Sequence, residues 1–286
     1  MRQWNPLTDP NGPLHGTPNG SPNVSPNVNL NVTPQESTDD VLPEVSISED
    51  RGVRFLHLDS PWVQGAMRIQ RPLELELEYV RRMMGWLLFV DPDTVRGRRA
   101  VQLGLGSASL SKFCALKLDM KTTAVEINPQ VVTVCRQWFE LPPDSPQLNV
   151  VLANANDWVR QTDEVAQVDL LHIDLYDHEA AGPVLDDAEF YGACRRLLAP
   201  EGALVINLFG RHSSFPHSMR QLSDVFDPEC LWAFDPTREG NTVVMAFAQP
   251  PELSAAIANA RAAKIRHEWG LKNGDWVQRL RTWEPA

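Results

Sequence analysis

Between residues 98 and 250 the chain alternates short apolar runs with helical stretches, and this alternation limits the fold more than any other feature. The runs are "RRAVQLGLG", "TTAVEIN", "LNVVLANA", "VDLLHIDLYD" and "ALVINLF". Helical stretches follow or separate them: "SLSKFCALKL", "PQVVTVCRQWF" opening at Pro129, and "DDAEFYGACRRLLAPEG" stopped at Pro200-Glu201-Gly202. Strands that alternate with helices pair in parallel and bury both faces of their sheet. A further helix, "SSFPHSMRQLSDVF", precedes two terminal strands, "CLWAFD" and "NTVVMAFAQ". The expectation is an α/β fold, a doubly wound and mostly parallel sheet of seven strands.

Upstream the period changes to two. Val45, Ile47, Val53 and Phe55 alternate around the turn Glu49-Asp50-Arg51-Gly52, which predicts a small β meander over 41–71. Pro72 then opens "PLELELEYVRRMMGWLLF", expected as one helix with Pro in its first turn and acidic residues early. Residues 251–286 are Ala-rich with several Arg and Lys and predict accessory helices, with Trp269, Trp276 and Trp283 as packing anchors. Residues 1–40 repeat Pro-Asn steps and carry few large side chains. Such a stretch cannot bury enough surface to offset its ordering entropy, so a disordered tail is expected.

Charge and cysteine usage narrow the partners. A formal net charge of -11 disfavours nucleic acid, which needs basic patches against its phosphates. It suits a cationic substrate, although self-repulsion that keeps a protein soluble needs no substrate. Cys114, Cys135, Cys194 and Cys230 lie far apart, without a Cys-x-x-Cys pair or a His at metal spacing. They read as reduced core residues of a cytoplasmic protein without a metal. The longest apolar segment, "MMGWLLFV", is far too short to cross a bilayer, and the N-terminus lacks the apolar centre of a signal peptide.

In an open parallel sheet, ligands bind beyond the C-terminal ends of the strands. That rule selects Gly104 and Gly106, Glu126, Asn154, and Asp174 with Asp177. "GLGSAS" lets a ligand approach the backbone and the N–H groups of the next helix. Ser109 stands where a dinucleotide fingerprint has its third glycine, and no Gly-Lys-Ser/Thr is present, which lowers the NAD and nucleotide-hydrolysis readings. Glu126 can accept both hydroxyls of a ribose or can be a solvated strand-end acid. Asn154 can meet an adenine edge or make an Asx turn. Asp174 and Asp177 can hold a cation and take a proton from a nucleophilic amine, or can be a turn cap and a solvated acid.

The order of elements resembles the class I S-adenosylmethionine-dependent transferases with their methyltransferase-like Rossmann sheet. Within that class the chain is similar to the spermidine synthase (polyamine aminopropyltransferase) family over roughly residues 43–250. The likeness runs through "LDSPWVQGAMRIQRPLELELEYVRRM", "GLGSAS", "VEINPQVV", "IDLYDH" and "EFYGACRRLLAPEGALVIN". It implies a nucleoside-binding catalytic domain over 72–250 and decarboxylated S-adenosylmethionine as co-substrate, without a metal. The donor would meet Gln64, Gly104, Gly106, Ser107, Glu126, Asn154 and Asp174, and the amine acceptor Tyr79, Asp177 and Asn207. Asp177 would act as the base and Asp174 as its partner. A homodimer through the meander is implied as well.

The chain also departs from the family pattern. Ser107 stands for an acid in the glycine loop, Val80 for a His, Asn154 for an acid and Asn207 for a Gln, and "DPTREGN" has Arg238 near a family Tyr. Two alternatives therefore stand beside aminopropyl transfer. One is methyl transfer from intact S-adenosylmethionine, and the other a catalytically silent relative that binds a nucleoside or a partner protein.

Overall fold

The computed structural model describes residues 42–176, 184–209 and 214–283. The expected tail and Asp177 lie outside the described residues. Strands β1 (Val45–Asp50), β2 (Val53–Leu58) and β3 (Gly65–Arg68) form the antiparallel meander in the order β1-β2-β3. Arg51 and Gly52 both have positive φ, 47° and 76°, which is what a two-residue hairpin needs to match the twist of its strands. Leu56 and Met67 project from the meander into a small core with Leu105, Ala108, Val131 and Phe139. That packing sets the meander against the first glycine-rich loop of the main sheet.

The segment from Pro72 corrects the expectation of one long helix. Leu73, Leu75 and Leu77 alternate with Glu74, Glu76 and Glu78, which is a period of two. Leu75 makes an antiparallel bridge to Met67, and Glu76 pairs with Arg68 at 2.6 Å. Only Glu78–Arg82 is α-helix (α1), and a 3-10 turn follows at Gly85–Leu88.

The remaining elements are β4 (Arg99–Leu103), α2 (Ser109–Lys112), β5 (Lys121–Glu126), α3 (Pro129–Trp138), β6 (Leu148–Leu152), α4 (Ala155–Gln161), β7 (Val168–Ile173), α5 (Ala188–Leu197) and β8 (Leu198–Phe209). Then come α6 (Ser214–Ser223), β9 (Leu231–Phe234), β10 (Asn241–Phe247), α7 (Ala255–Trp269), α8 (Trp276–Arg279) and β11 (Leu280–Thr282). The main sheet has the order β11-β9-β10-β8-β7-β4-β5-β6. From β6 to β8 the pairs are parallel, and β10, β9 and β11 are antiparallel to their neighbours. Their helical connections make this the expected doubly wound α/β fold, with β4 at the switch point between β5 and β7.

The sheet has 8 strands rather than seven. The extra one, β11, comes from a segment expected to be helical. Its Leu280 is buried, Trp283 N donates to Leu231 O at 2.8 Å, and the Trp283 ring meets Phe215 at 5.6 Å. The ladder and the ring contact together outweigh local helix preference over so few residues. All four cysteines are free and buried. Among the described residues, no helix is long and apolar enough to cross a membrane, and no group of three or more metal-binding side chains is present.

Candidate active site

The C-terminal ends of β5, β4 and β7 are tied together by backbone and carboxylate. Asp174 N donates to Leu103 O at 3.1 Å, and Leu105 N donates to Glu126 Oε2 at 2.9 Å. Gly104 and Gly106 have φ of 84° and 52°. A Cβ on Gly104 would stand 2.4 Å from Asp174 O, and one on Gly106 would stand 3.1 Å from Gln64 O. The glycines thus allow β7 and the meander to close on one loop, and both Asp174 and Gln64 flank it. Gln102 Nε2 supports the loop by donating to Gly104 O at 2.6 Å, and Cys135 Sγ donates to Gly106 O at 3.1 Å.

Glu126 is buried, and its second oxygen accepts from Asn128 N at 2.8 Å. A carboxylate offers about four acceptor positions, so the N–H groups do not exhaust it and capacity remains for a ribose hydroxyl. Burial raises its pKa, opposed by the N–H groups of Asn128, Leu105 and Ile127. Beside it Ile127 and Leu152 are 51% and 58% exposed, unusual for large apolar side chains flanking a buried acid. Nothing in the sequence marks this pair beyond their places at neighbouring strand ends, where Glu126 pairs with Leu152.

Asn154 is exposed and caps α4, accepting from Asn156 N at 2.9 Å. This is the Asx-turn role, and it engages the amide oxygen. Ser107 is buried, and its hydroxyl bonds Ala66 O at 3.4 Å and Ser109 Oγ at 3.0 Å. Its side chain fastens the glycine loop to β3.

The acid itself is held by residues from two distant parts of the chain. Tyr79 OH, on α1, donates to Asp174 Oδ2 at 3.3 Å, and Asn207 Nδ2, on β8, donates to Oδ1 at 3.0 Å. Burial pushes the half-buried Asp174 up to about 6, while the bonds from Asn207 and Tyr79 act the other way. Burial and the charge of Asp174 keep the Tyr79 phenol well above its usual range, so it stays a donor. Asn241, which the sequence did not single out, donates from Nδ2 to Asn207 Oδ1 at 3.1 Å. Arg82, also on α1, pairs with Glu78, donates to Asp235 O and lies 5.7 Å from the Phe234 ring.

An apolar cleft of about 680 Å³ lies elsewhere, between Phe215, Phe234 and Trp283 at the β9–β11 edge. None of the expected site residues lines it. Thr242 does, and side chains alternate along a strand, so it faces away from neighbouring Asn241.

A switch point with a glycine loop, a carboxylate on the next strand end and a second acid across it is the arrangement of a Rossmann-type nucleoside site. Human methyltransferase-like protein 13, solved in complex with SAH, shares this fold with a TM-score of 0.60, 22% identity, and coverage of 74% of this chain and 97% of that one. A probable spermidine synthase from Corynebacterium glutamicum superposes with a TM-score of 0.63 at 21% identity, over 85% of this chain and 94% of that one. The polyamine aminopropyltransferase of Chromobacterium violaceum is 33% identical over 244 residues, covering 85% of this chain and 91% of the relative. The chain belongs to the polyamine aminopropyltransferase family. No family model matches it.

Proposed function

We propose that the protein transfers an aminopropyl group from decarboxylated S-adenosylmethionine to an amine acceptor. The observation that carries this reading is Asp174. Its carboxylate is held by two neutral donors, Tyr79 and Asn207, and its backbone lies against Gly104 of the donor loop. With a pKa of about 6 it is mostly ionised at neutral pH and suits a cation beside the nucleoside pocket. Glu126 would take the donor's ribose, and Ile127 and Leu152 offer apolar surface to its base.

In this reaction the amine lone pair attacks the carbon beside the sulfonium. The N–C bond forms as the C–S bond breaks, the electron pair returns to sulfur, and methylthioadenosine leaves neutral. The sulfonium already activates its leaving group, so the chain's task is to position the amine and remove its proton. Asp177, three residues beyond Asp174 and outside the described residues, is the base in this reading. The site is cytoplasmic in the same reading. A homodimer would form through the meander, where among the described residues β1 pairs only with β2, and sedimentation equilibrium showing a monomer alone would remove it.

One observation favours methyl transfer instead. Ser107 offers no charge to a donor amine, and its hydroxyl is engaged by Ala66 O and Ser109. Calorimetric titration with decarboxylated and with intact S-adenosylmethionine separates the two. The decarboxylated donor should bind more tightly, and addition of 1,4-diaminobutane should release methylthioadenosine. Tighter binding of the intact donor would move the reading to methyl transfer, and no heat from either would point to a silent relative.

A further inference from the structure

Two neighbouring amides stand behind Asp174. Asn207 and Asn241 are 3% and 8% exposed, on the adjacent strands β8 and β10. An ionised carboxylate only accepts, so Asn207 must turn its NH2 end toward Asp174 Oδ1, which it meets at 3.0 Å. Its carbonyl then points away and needs a donor, and Asn241 Nδ2 supplies one at 3.1 Å. Turned over, Asn207 would set an amide oxygen against a carboxylate oxygen. Asp174 could then bond Asn207 only by keeping its proton, with the bond from Tyr79 left on the other oxygen.

Asn241 is in turn fixed by a tight loop. Its N–H donates to Thr237 Oγ1 at 3.2 Å, and its carbonyl accepts from Thr237 N at 2.8 Å. Thr237 is buried, at 4% exposure, so this anchor is sheltered from water. We propose that Asn241 is a positioning residue that sets the direction of the Asn207 amide and so keeps Asp174 a hydrogen-bond acceptor. Asn207, expected at the acceptor contact, thereby serves the acid through its amide. The role of Asp174 in catalysis rests on the aminopropyl-transfer reading, but the direction of the amide chain does not.

The titratable groups facing Asp174 are Tyr79, from α1, and Tyr176, in the segment after β7; Asp177 lies outside the described residues. Both phenols are held well above their usual range by burial, so neither titrates alongside the acid.

The test is a carboxyl ¹³C titration of Asp174 in the free full-length protein, which needs no substrate. Asn241→Leu removes the donor without adding charge and should raise the Asp174 midpoint by about one pH unit. Asn241→Asp should raise it further, and beyond the effect of Asn207→Leu, because it draws the Asn207 NH2 away, leaves the oxygen facing the acid and adds a like charge nearby. In the unaltered protein, the side-chain amide protons of Asn207 and Asn241 should both shift with the midpoint of Asp174. That measurement decides the matter even if a variant fails to fold. An unmoved Asp174 in folded Asn241→Leu and Asn241→Asp, or an Asn241 amide blind to the titration, would overturn the proposal. Turnover failing while these shifts appear would count against the aminopropyl-transfer reading alone.

Discussion

Asp174→Asn keeps the shape of the side chain and removes its charge, separating what the carboxylate does in chemistry from what it costs the fold. Burial raises its pKa from the usual 3.8 to about 6. Below pH 3.8 the group is protonated whether the chain is folded or not, and it has no effect on stability. As the pH rises from there through 6, the unfolded chain releases the proton more readily, and stability is lost. The penalty from these two values is about 3 kcal/mol at pH 8, and about half of it remains at pH 5. Asparagine avoids it but cannot accept from both Tyr79 and Asn207, and one unmade hydrogen bond costs about 1 kcal/mol. The variant should therefore be more stable than the parent by about 2 kcal/mol at pH 8 and by about 0.5 kcal/mol at pH 5. Urea unfolding followed by tryptophan fluorescence at both pH values measures the difference. Turnover, assayed as methylthioadenosine release, should fall by about a hundredfold or more. A variant less stable than the parent at pH 8, or a gap of equal size at both pH values, would refute the reasoning.

Gly104→Ala should lower stability by about 2–4 kcal/mol, since φ is 84° and the new Cβ would stand 2.4 Å from Asp174 O; a thermal melt gives the loss. Glu126→Gln should keep the fold and weaken donor binding about 10- to 100-fold by calorimetry, because an amide cannot serve both N–H groups and both ribose hydroxyls. Arg82→Lys should cost about 2–3 kcal/mol in urea, as an ammonium cannot span Glu78, Asp235 O and the Phe234 face at once.

The parallel half of the sheet was legible because each of its strands is a local apolar run closed by a turn residue. Glu126 and Asp174 were legible for the same reason, since a strand end is a position in sequence as well as in space. What surrounds Asp174 was not. Tyr79 is 95 residues away and Asn207 is 33, and no local period joins such partners. Family likeness named those two as acceptor contacts, and the structure shows both bonded to the acid. Asn241 carried no signal at all, being one polar residue at the start of a buried strand. The stretch from Leu73 to Glu78 held its own correction, because its alternation of Leu and Glu is a strand's period while Pro72 and the early acids suggest a helix. At β11 the deciding contacts are again distant, made with β9 and Phe215.

The pairing of β11 with β9 has a consequence for handling the protein. One rim of the main sheet is finished by three residues, Leu280–Thr282, delivered across a helix from far along the chain. A protease cut after Trp269, or a shortened expression product ending there, would bare the β9 backbone with Leu231 and Phe234 beside it. Unpaired strand rims recruit other strands. Such a product would retain the glycine loop, Glu126 and Asp174, yet it would be prone to stacking into filaments or precipitate.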